Sequence, residues 1–261
     1  MVRERLLLID VGNTNIKIVV ANDGVIEESF VLPTNLQETA DTFGLKIGEL
    51  CRHLGINSNW VHAWVVSSVV PSLDPFIAAA GEKYAGCPVY LVPRDLPLPL
   101  ENRYANPEEV GADRLVTAYA ARELLETEGI IVVDFGTATT LECVQGRSYL
   151  GGLICPGLFS SLRALGGQTA KLPQISLDLR SYVLEIGDST VTSMNQGFVY
   201  GFASMIEGLC TRLRTFLQGE ITVVATGGFA AKIQPVCTAI DVVRPDLLHR
   251  GLLMAYHHER G

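Results

Sequence analysis

The sequence is short of charge, and the charge it has leans one way. Charged residues are 18% of the chain and aromatics 7%, against 48% apolar residues. Lys plus Arg number 20 and Asp plus Glu 28, a formal net charge of −8. That balance argues against a general nucleic-acid binder and leaves room only for a local basic patch. Long hydrophobic runs are missing too. The stretch Val61 to Val70 is interrupted by His and Ser and is too short to span a bilayer, so no membrane association is expected. The N-terminal residues have neither an extended apolar core nor a small-residue cleavage site, so no signal peptide is expected. No CxxC pair or Cys/His cluster occurs. Cys51, Cys87, Cys143, Cys155, Cys210 and Cys237 therefore read as buried or incidental thiols of a reducing compartment, and a structural zinc site is not expected. What remains is a folded composition of 261 residues, enough for one large domain or two smaller ones sharing a cleft.

The chain repeats itself. Leu6-Leu-Leu-Ile-Asp10-Val-Gly12-Asn13-Thr14-Asn15 leads into Ile16-Lys17-Ile-Val-Val20. Ile130-Ile-Val-Val-Asp134-Phe-Gly136-Thr137-Ala-Thr139-Thr140 leads into Leu-Glu142-Cys-Val144. Each copy has four apolar residues, an Asp, one apolar residue, a Gly, a Thr-bearing turn and a second strand-like run. The two aspartates are separated by nearly half the chain, which predicts a domain duplication with each half opening on a β-hairpin. Gly, Thr and Asn suit close approach to a phosphate through backbone N–H groups. A carboxylate beside a phosphate needs a cation between them, most simply Mg²⁺. A single copy reads equally well as an ordinary Asx turn; a second copy weakens that alternative.

Between and after the hairpins the pattern is α/β. Val25 to Val31, Val61 to Val70, Cys87 to Val92 and Ile221 to Thr226 read as strands, the last ending in the Gly227-Gly228 turn. Leu36 to Leu54 is helix-compatible, weakened by Gly44 and Gly48. Asn106-Pro107-Glu108-Glu109 reads as a helix start, with Asn106 as cap and Pro107 in the first turn, running to about Leu125. Asp113 and Arg114 then fall in its early turns. They are either helix-dipole and surface charges or an acid/base group beside an anion-binding guanidinium. Tyr149 to Leu158 reads as a glycine-rich loop, Ser160 to Leu165 as helical, and Gly166 to Pro173 as turn-rich. Thr190 to Leu217 reads as helix, with Gly197, Gly201 and Gly208 suited to close helix packing. Leu247 to Tyr256 reads as a terminal helix. His249, His257 and His258 make no metal-ligand pattern.

Two Asp-Gly-Thr hairpins and a late Thr226-Gly-Gly turn resemble the actin/sugar-kinase/Hsp70 architecture. That resemblance implies an α/β fold of duplicated ribonuclease-H-like domains, 1–117 and 118–261, with ATP in an interdomain cleft. No Walker-type phosphate loop and no protein-kinase signature is present, so an ATP reading rests on the hairpins. The set also closely resembles type III pantothenate kinases. It comprises Asp10 to Asn15, Asn106-Pro107 followed by Gly111-Ala112-Asp113-Arg114, Asp134 to Thr140, Tyr149 through Leu158, Thr169 to Pro173, and Thr226 to Gly228.

The family resemblance implies transfer of the ATP γ-phosphate to the hydroxyl of pantothenate, the first step of coenzyme A synthesis. It further implies a cytoplasmic homodimer using a divalent metal and K⁺ or NH₄⁺. Carried onto this chain, Asp113 is the proton acceptor, and Tyr104, Gly111, Ala112, Asp113, Arg114 and Thr190 contact pantothenate. Asp10, Val11, Gly12, Asn13, Thr14, Asn15, Ile16 and Lys17 form the first phosphate-binding segment. Thr137 contacts ATP, Asp134 holds the monovalent cation, and Asp10 is placed for Mg²⁺, directly or through water. Four positions depart from the usual pattern: Glu142 stands where Asp is common, Asp188 where Lys is common, and at Asn195 and Gln196 the segment Met194-Asn195-Gln196-Gly197 replaces Met-Gln-Ser-Gly. The charge reversal at Asp188 would weaken nucleotide binding if its side chain faced ATP.

Overall fold

The computed structural model describes residues 4–56, 61–168, 177 and 182–260. The chain forms two compact α/β units. One comprises Met1–Pro99, Glu108–Ala120 and Leu248–Gly261, and the other Leu100–Pro107 and Ala121–Leu247. The compact units and the sequence halves 1–117 and 118–261 differ mainly at the C-terminal residues, which count with the first unit.

The first unit is built on strands β1 (Arg5–Val11), β2 (Asn15–Asn22), β3 (Val25–Pro33), β4 (Ala63–Ser68) and β5 (Val89–Val92), in the order β3-β2-β1-β4-β5. β1, β2 and β3 run antiparallel, and β4 and β5 continue parallel to β1. Helices α1 (Ala40–His53) and α2 (Asp74–Ala80) contribute to a core in which Leu7, Ile9, Val11, Trp64 and Val66 meet Phe43, Ile47 and Ile77. Thr39 and Thr42 close a reciprocal capping box at the start of α1. Gly44 does not break that helix. A Cβ there would lie 2.2 Å from the Tyr84 ring, so the glycine is where the ring seats.

The second unit repeats the plan. Strands β7 (Gly129–Phe135), β8 (Ala138–Gln145) and β9 (Ser148–Pro156) are antiparallel; β10 (Ile221–Gly227) and β11 (Val242–Val243) follow parallel to β7. Short β6 (Glu101–Asn102) adds to the β9 edge, giving β11-β10-β7-β8-β9-β6. The correspondence extends to register. Asp10 pairs with Lys17 on β2 and Ser67 on β4, while Asp134 pairs with Thr140 on β8 and Thr226 on β10. The duplication read from two short motifs thus extends through whole sheets.

Four expectations are corrected. The α-helix after Asn106 does not start there. Pro107–Glu109 makes one 3₁₀ turn, and α3 runs Ala112–Leu124, its first carbonyl acceptor being Gly111, which takes the N–H groups of Arg114 and Leu115. The stretch Tyr149 to Leu158 is mostly strand β9 rather than a loop, with Gly151 at φ +104° and a register shift opposite, between Cys143 and Val144. Helix α5 (Thr190–Leu213) packs through Met194, Val199, Ala203, Ile206 and Cys210. Gly197, Gly201 and Gly208 lie on another face, with no described atom within 4 Å of an added Cβ. Helix α4 (Leu158–Gln168) extends into the segment read as turn-rich, and Thr169 to Pro173 lies outside the described residues. Four-residue α6 (Ala230–Ile233) and terminal α7 (Leu247–His258) complete the fold. Gly251 of α7 sits against Val116 and Ala120 of α3. Among the described residues no helix is long and apolar enough to cross a membrane.

Candidate active site

In the first unit the candidate residues gather at the carboxyl ends of parallel β1 and β4, where ligands of open α/β sheets bind. β1 ends in Asp10 and Val11, and the chain turns back through Gly12 to Asn15. The turn is closed by Gly12 N–H donating to the Asn15 carbonyl at 3.0 Å and by the Thr34 hydroxyl donating to the Gly12 carbonyl at 2.6 Å. Asn13, Thr14 and Asn15 are exposed in succession, and beyond them exposed Lys17 stands between buried Ile16 and Ile18. Polar groups are thereby presented on an anchored hairpin.

Asp113 and Arg114 reach this region through Val69. The Val69 N–H donates to the Val11 carbonyl at 3.0 Å, and a Cβ on Gly111 would lie 3.2 Å from the Val69 side chain and 2.5 Å from Asp113 Oδ1. Only a glycine lets the Asp113 carboxylate fold over this point. That carboxylate accepts the Arg114 N–H at 2.8 Å, satisfying a donor of the first helical turn, and the Thr117 hydroxyl donates to the Asp113 carbonyl. Ala112 opens α3, and Arg114 is 8% exposed. The structure therefore joins Asp10 to Asn15 with Gly111 to Arg114 in one unit. It also adds Ser67, fully buried beside Asp10 in register, whose hydroxyl has no partner among the described residues. The sequence signal for it was the Ser pair interrupting an apolar strand.

In the second unit Asp134 is the penultimate residue of β7. Gly227, at φ +87°, sits so close that a Cβ would lie 2.4 Å from Asp134 Oδ1 and 2.6 Å from the Phe135 carbonyl. Carboxylate and carbonyl oxygens thus border a space that a side chain would fill, a donor set of the hard kind that K⁺ or Mg²⁺ accepts. Among the described residues no group of three or more His, Cys, Asp or Glu is arranged for a metal. A lone Asp at the end of β1 and another at the end of β7 still fit cations that take most of their ligands from carbonyls, phosphates and water. Thr137 is exposed at the hairpin turn, its carbonyl accepting the Ser160 hydroxyl at 2.8 Å.

Tyr104 and Thr190 belong to the same unit as Asp134. Tyr104 follows β6, with its N–H donating to Asn102 Oδ1 at 3.0 Å. Thr190 is the exposed first residue of α5, whose N-cap Ser189 makes a capping box with Thr192. Asp188 precedes that cap and accepts the Thr192 hydroxyl at 2.9 Å. Its carboxylate is therefore engaged at a helix N-terminus, where negative charge is favourable.

The two sheets define the class. They share the α/β fold of the ROK hexokinase of Thermus thermophilus (17% identity, covering 98% of this chain and 100% of that one, TM-score 0.53). A Baf family protein of Campylobacter jejuni is similar in the same way (18% identity, covering 97% and 98%, TM-score 0.58). At such identities the likeness is one of fold. The family model for type III pantothenate kinase matches residues 6–212. The type III pantothenate kinase of Nitratidesulfovibrio vulgaris strain DP4 is 51% identical over 252 residues, covering 96% of each chain. That of Bacillus cytotoxicus is 36% identical over 263 residues, covering 98% and 99%. The chain belongs to the type III pantothenate kinase family.

Proposed function

We propose that this chain phosphorylates pantothenate with ATP, giving 4′-phosphopantothenate, the first step of coenzyme A synthesis. The observation that carries the reading is the repeated carboxylate-glycine turn at the end of each sheet's central strand, with Gly111 to Arg114 packed against the first. Phosphoryl transfer depends on alignment and charge neutralisation more than on a strong base. Asp113 orients the pantothenate hydroxyl and takes its proton as that oxygen bonds to the γ-phosphorus and the bond from the γ-phosphorus to the β-phosphate oxygen breaks, releasing ADP. Gly111, Ala112, Arg114, Tyr104 and Thr190 bind pantothenate, with Arg114 supplying a fixed positive charge. Asp10 to Lys17 and Thr137 bind the phosphates through short polar side chains and through turn N–H groups other than that of Gly12, which the Asn15 carbonyl takes.

A divalent cation, when bound, neutralises the phosphate charge that a chain of net charge −8 would otherwise repel. Asp10 would hold it directly or through water, with the Ser67 hydroxyl beside it. Asp134 would hold K⁺ or NH₄⁺, assisted by the Phe135 carbonyl. A cytoplasmic homodimer, and an ancestral duplication dividing 1–117 from 118–261, belong to the same proposal.

The test is ADP release by purified protein with ATP, Mg²⁺ and pantothenate, with K⁺, NH₄⁺ or Na⁺ as the monovalent ion. Pantothenate-dependent release that K⁺ and NH₄⁺ support and Na⁺ does not is expected. Release that ignores pantothenate, from a folded sample, rejects the assignment.

A further inference from the structure

Two side chains with no assigned role lie directly behind Tyr104. Glu142 on β8 is 1% exposed and Tyr149 on β9 is fully buried, and the Tyr149 hydroxyl donates to Glu142 Oε2 at 2.6 Å. The Tyr149 ring lies 6.5 Å from that of Tyr104 at an interplanar angle of 36°. The Tyr149 carbonyl accepts the Arg103 N–H at 2.9 Å, tying the backbone next to Tyr104 to the same residue. Two adjacent glycines make the assembly possible. A Cβ on Gly151 would sit 3.0 Å from the Tyr104 ring, and one on Gly152 would sit 2.0 Å from the Leu141 carbonyl oxygen and 2.6 Å from Glu142 Oε2. Gly151 leaves room for the ring, and Gly152 leaves room for both the β8 backbone and the carboxylate, so Tyr104 rests on a surface whose floor is anchored from beneath.

We propose that Glu142 and Tyr149 are a buried positioning pair that fixes the Tyr104 ring and thereby sets affinity for the acceptor substrate. The proposal rests on the reading that Tyr104 contacts pantothenate. The longer reach of Glu relative to Asp is what brings the carboxylate to the Tyr149 hydroxyl. A buried hydrogen bond to a carboxylate is short and directional, so it holds the Tyr149 ring at one height. With the bond lost, Tyr149 and the Tyr104 ring above it gain freedom that binding must then remove.

The test compares Tyr149→Phe, Glu142→Asp, Glu142→Gln and Tyr104→Ala by steady-state kinetics and thermal unfolding. Tyr149→Phe and Glu142→Asp are expected to raise the KM for pantothenate about 3- to 10-fold, the equivalent of one ordinary hydrogen bond, with kcat and the KM for ATP little changed. Glu142→Gln keeps the side-chain length and an acceptor oxygen but loses the charge, and is expected to fall between the parent and Glu142→Asp in the KM for pantothenate. Tyr104→Ala should raise the KM for pantothenate at least as much. If Tyr104→Ala raises it while folded Tyr149→Phe and Glu142→Asp leave it unchanged, the positioning role is overturned and the reading of Tyr104 stands. If Tyr104→Ala leaves it unchanged, both fall. Should Tyr149→Phe fail to fold, Glu142→Asp against Glu142→Gln decides, because a merely structural carboxylate would move both KM values and kcat together.

Discussion

Asp113 does two jobs that separate under mutation. Its carboxylate caps the first turn of α3 through the Arg114 N–H, and in the proposed reaction it takes the substrate proton. Asp113→Asn keeps an acceptor oxygen for the cap and removes the base. Turnover is expected to fall about 10²- to 10⁴-fold with little change in thermal midpoint, as read by ADP release and calorimetry. A folded variant with near-normal turnover would remove Asp113 from the chemistry. The cysteines support a second prediction. Cys87 and Cys143 are pushed up to about 11 and Cys210 to about 12, in each case chiefly by burial, so the folded state holds their protons where an unfolded thiol at about 9 has lost them. Stability is therefore full below pH about 9 and declines as pH rises through the window from there to about 12. Urea unfolding from pH 7 to 10 should show the decline. Half-buried Cys155 should alkylate first in the native protein, since the other five thiols are buried.

Helix α1 carries two glycines that the sequence alone cannot tell apart, since both lower helix propensity equally. Gly44 meets the Tyr84 ring, while Gly48 has no described atom within 4 Å of an added Cβ. Gly48→Ala should therefore stabilise by about 0.5–1 kcal/mol through lost unfolded-state entropy, and Gly44→Ala should destabilise by overpacking. Opposite shifts in urea midpoint check the pair; equal shifts would mean that the Tyr84 contact carries no weight. The same contrast explains what was legible beforehand. Both Asp-Gly-Thr hairpins, α5, β10 and α7 announce themselves locally, by apolar runs, caps and turn residues that act within a few positions. The start of α3 did not, because Asn106 and Pro107 carry the signals of a helix start and spend them on a 3₁₀ turn, while Gly111 is fixed by Val69, distant in sequence. β9 was hidden for a similar reason. Gly151 and Gly152 look like loop residues until Tyr104 and Glu142, from other segments, are placed against them. Asp10 and Asp134 stand out because their motif repeats; Ser67, Tyr149 and the oxygens around Gly227 do not, because only sheet register and tertiary packing bring them in.

The chain has two similar sheets, each with a carboxylate one residue before the end of its central strand, and that carries a consequence for how anions arrive. The molecule's formal charge is −8, its substrates in the proposed reaction are both anions, and the charges at the strand ends are themselves negative. A field of that sign does not steer anions inward; local N–H groups, Arg114 and bound cations must do the work at short range. The Debye length shrinks from about 30 Å at 0.01 M to about 8 Å at 0.15 M, so long-range repulsion is removed over that range while contacts of a few ångströms are largely spared. With K⁺ and Mg²⁺ held constant and ionic strength raised with tetramethylammonium chloride, kcat/KM for pantothenate is expected to stay level or rise modestly. An enzyme guided by an attractive field would lose rate steeply across the same interval. A steep fall here would therefore reveal a basic funnel that the net charge conceals, and would move the source of substrate capture from the hairpin backbones to side-chain charge.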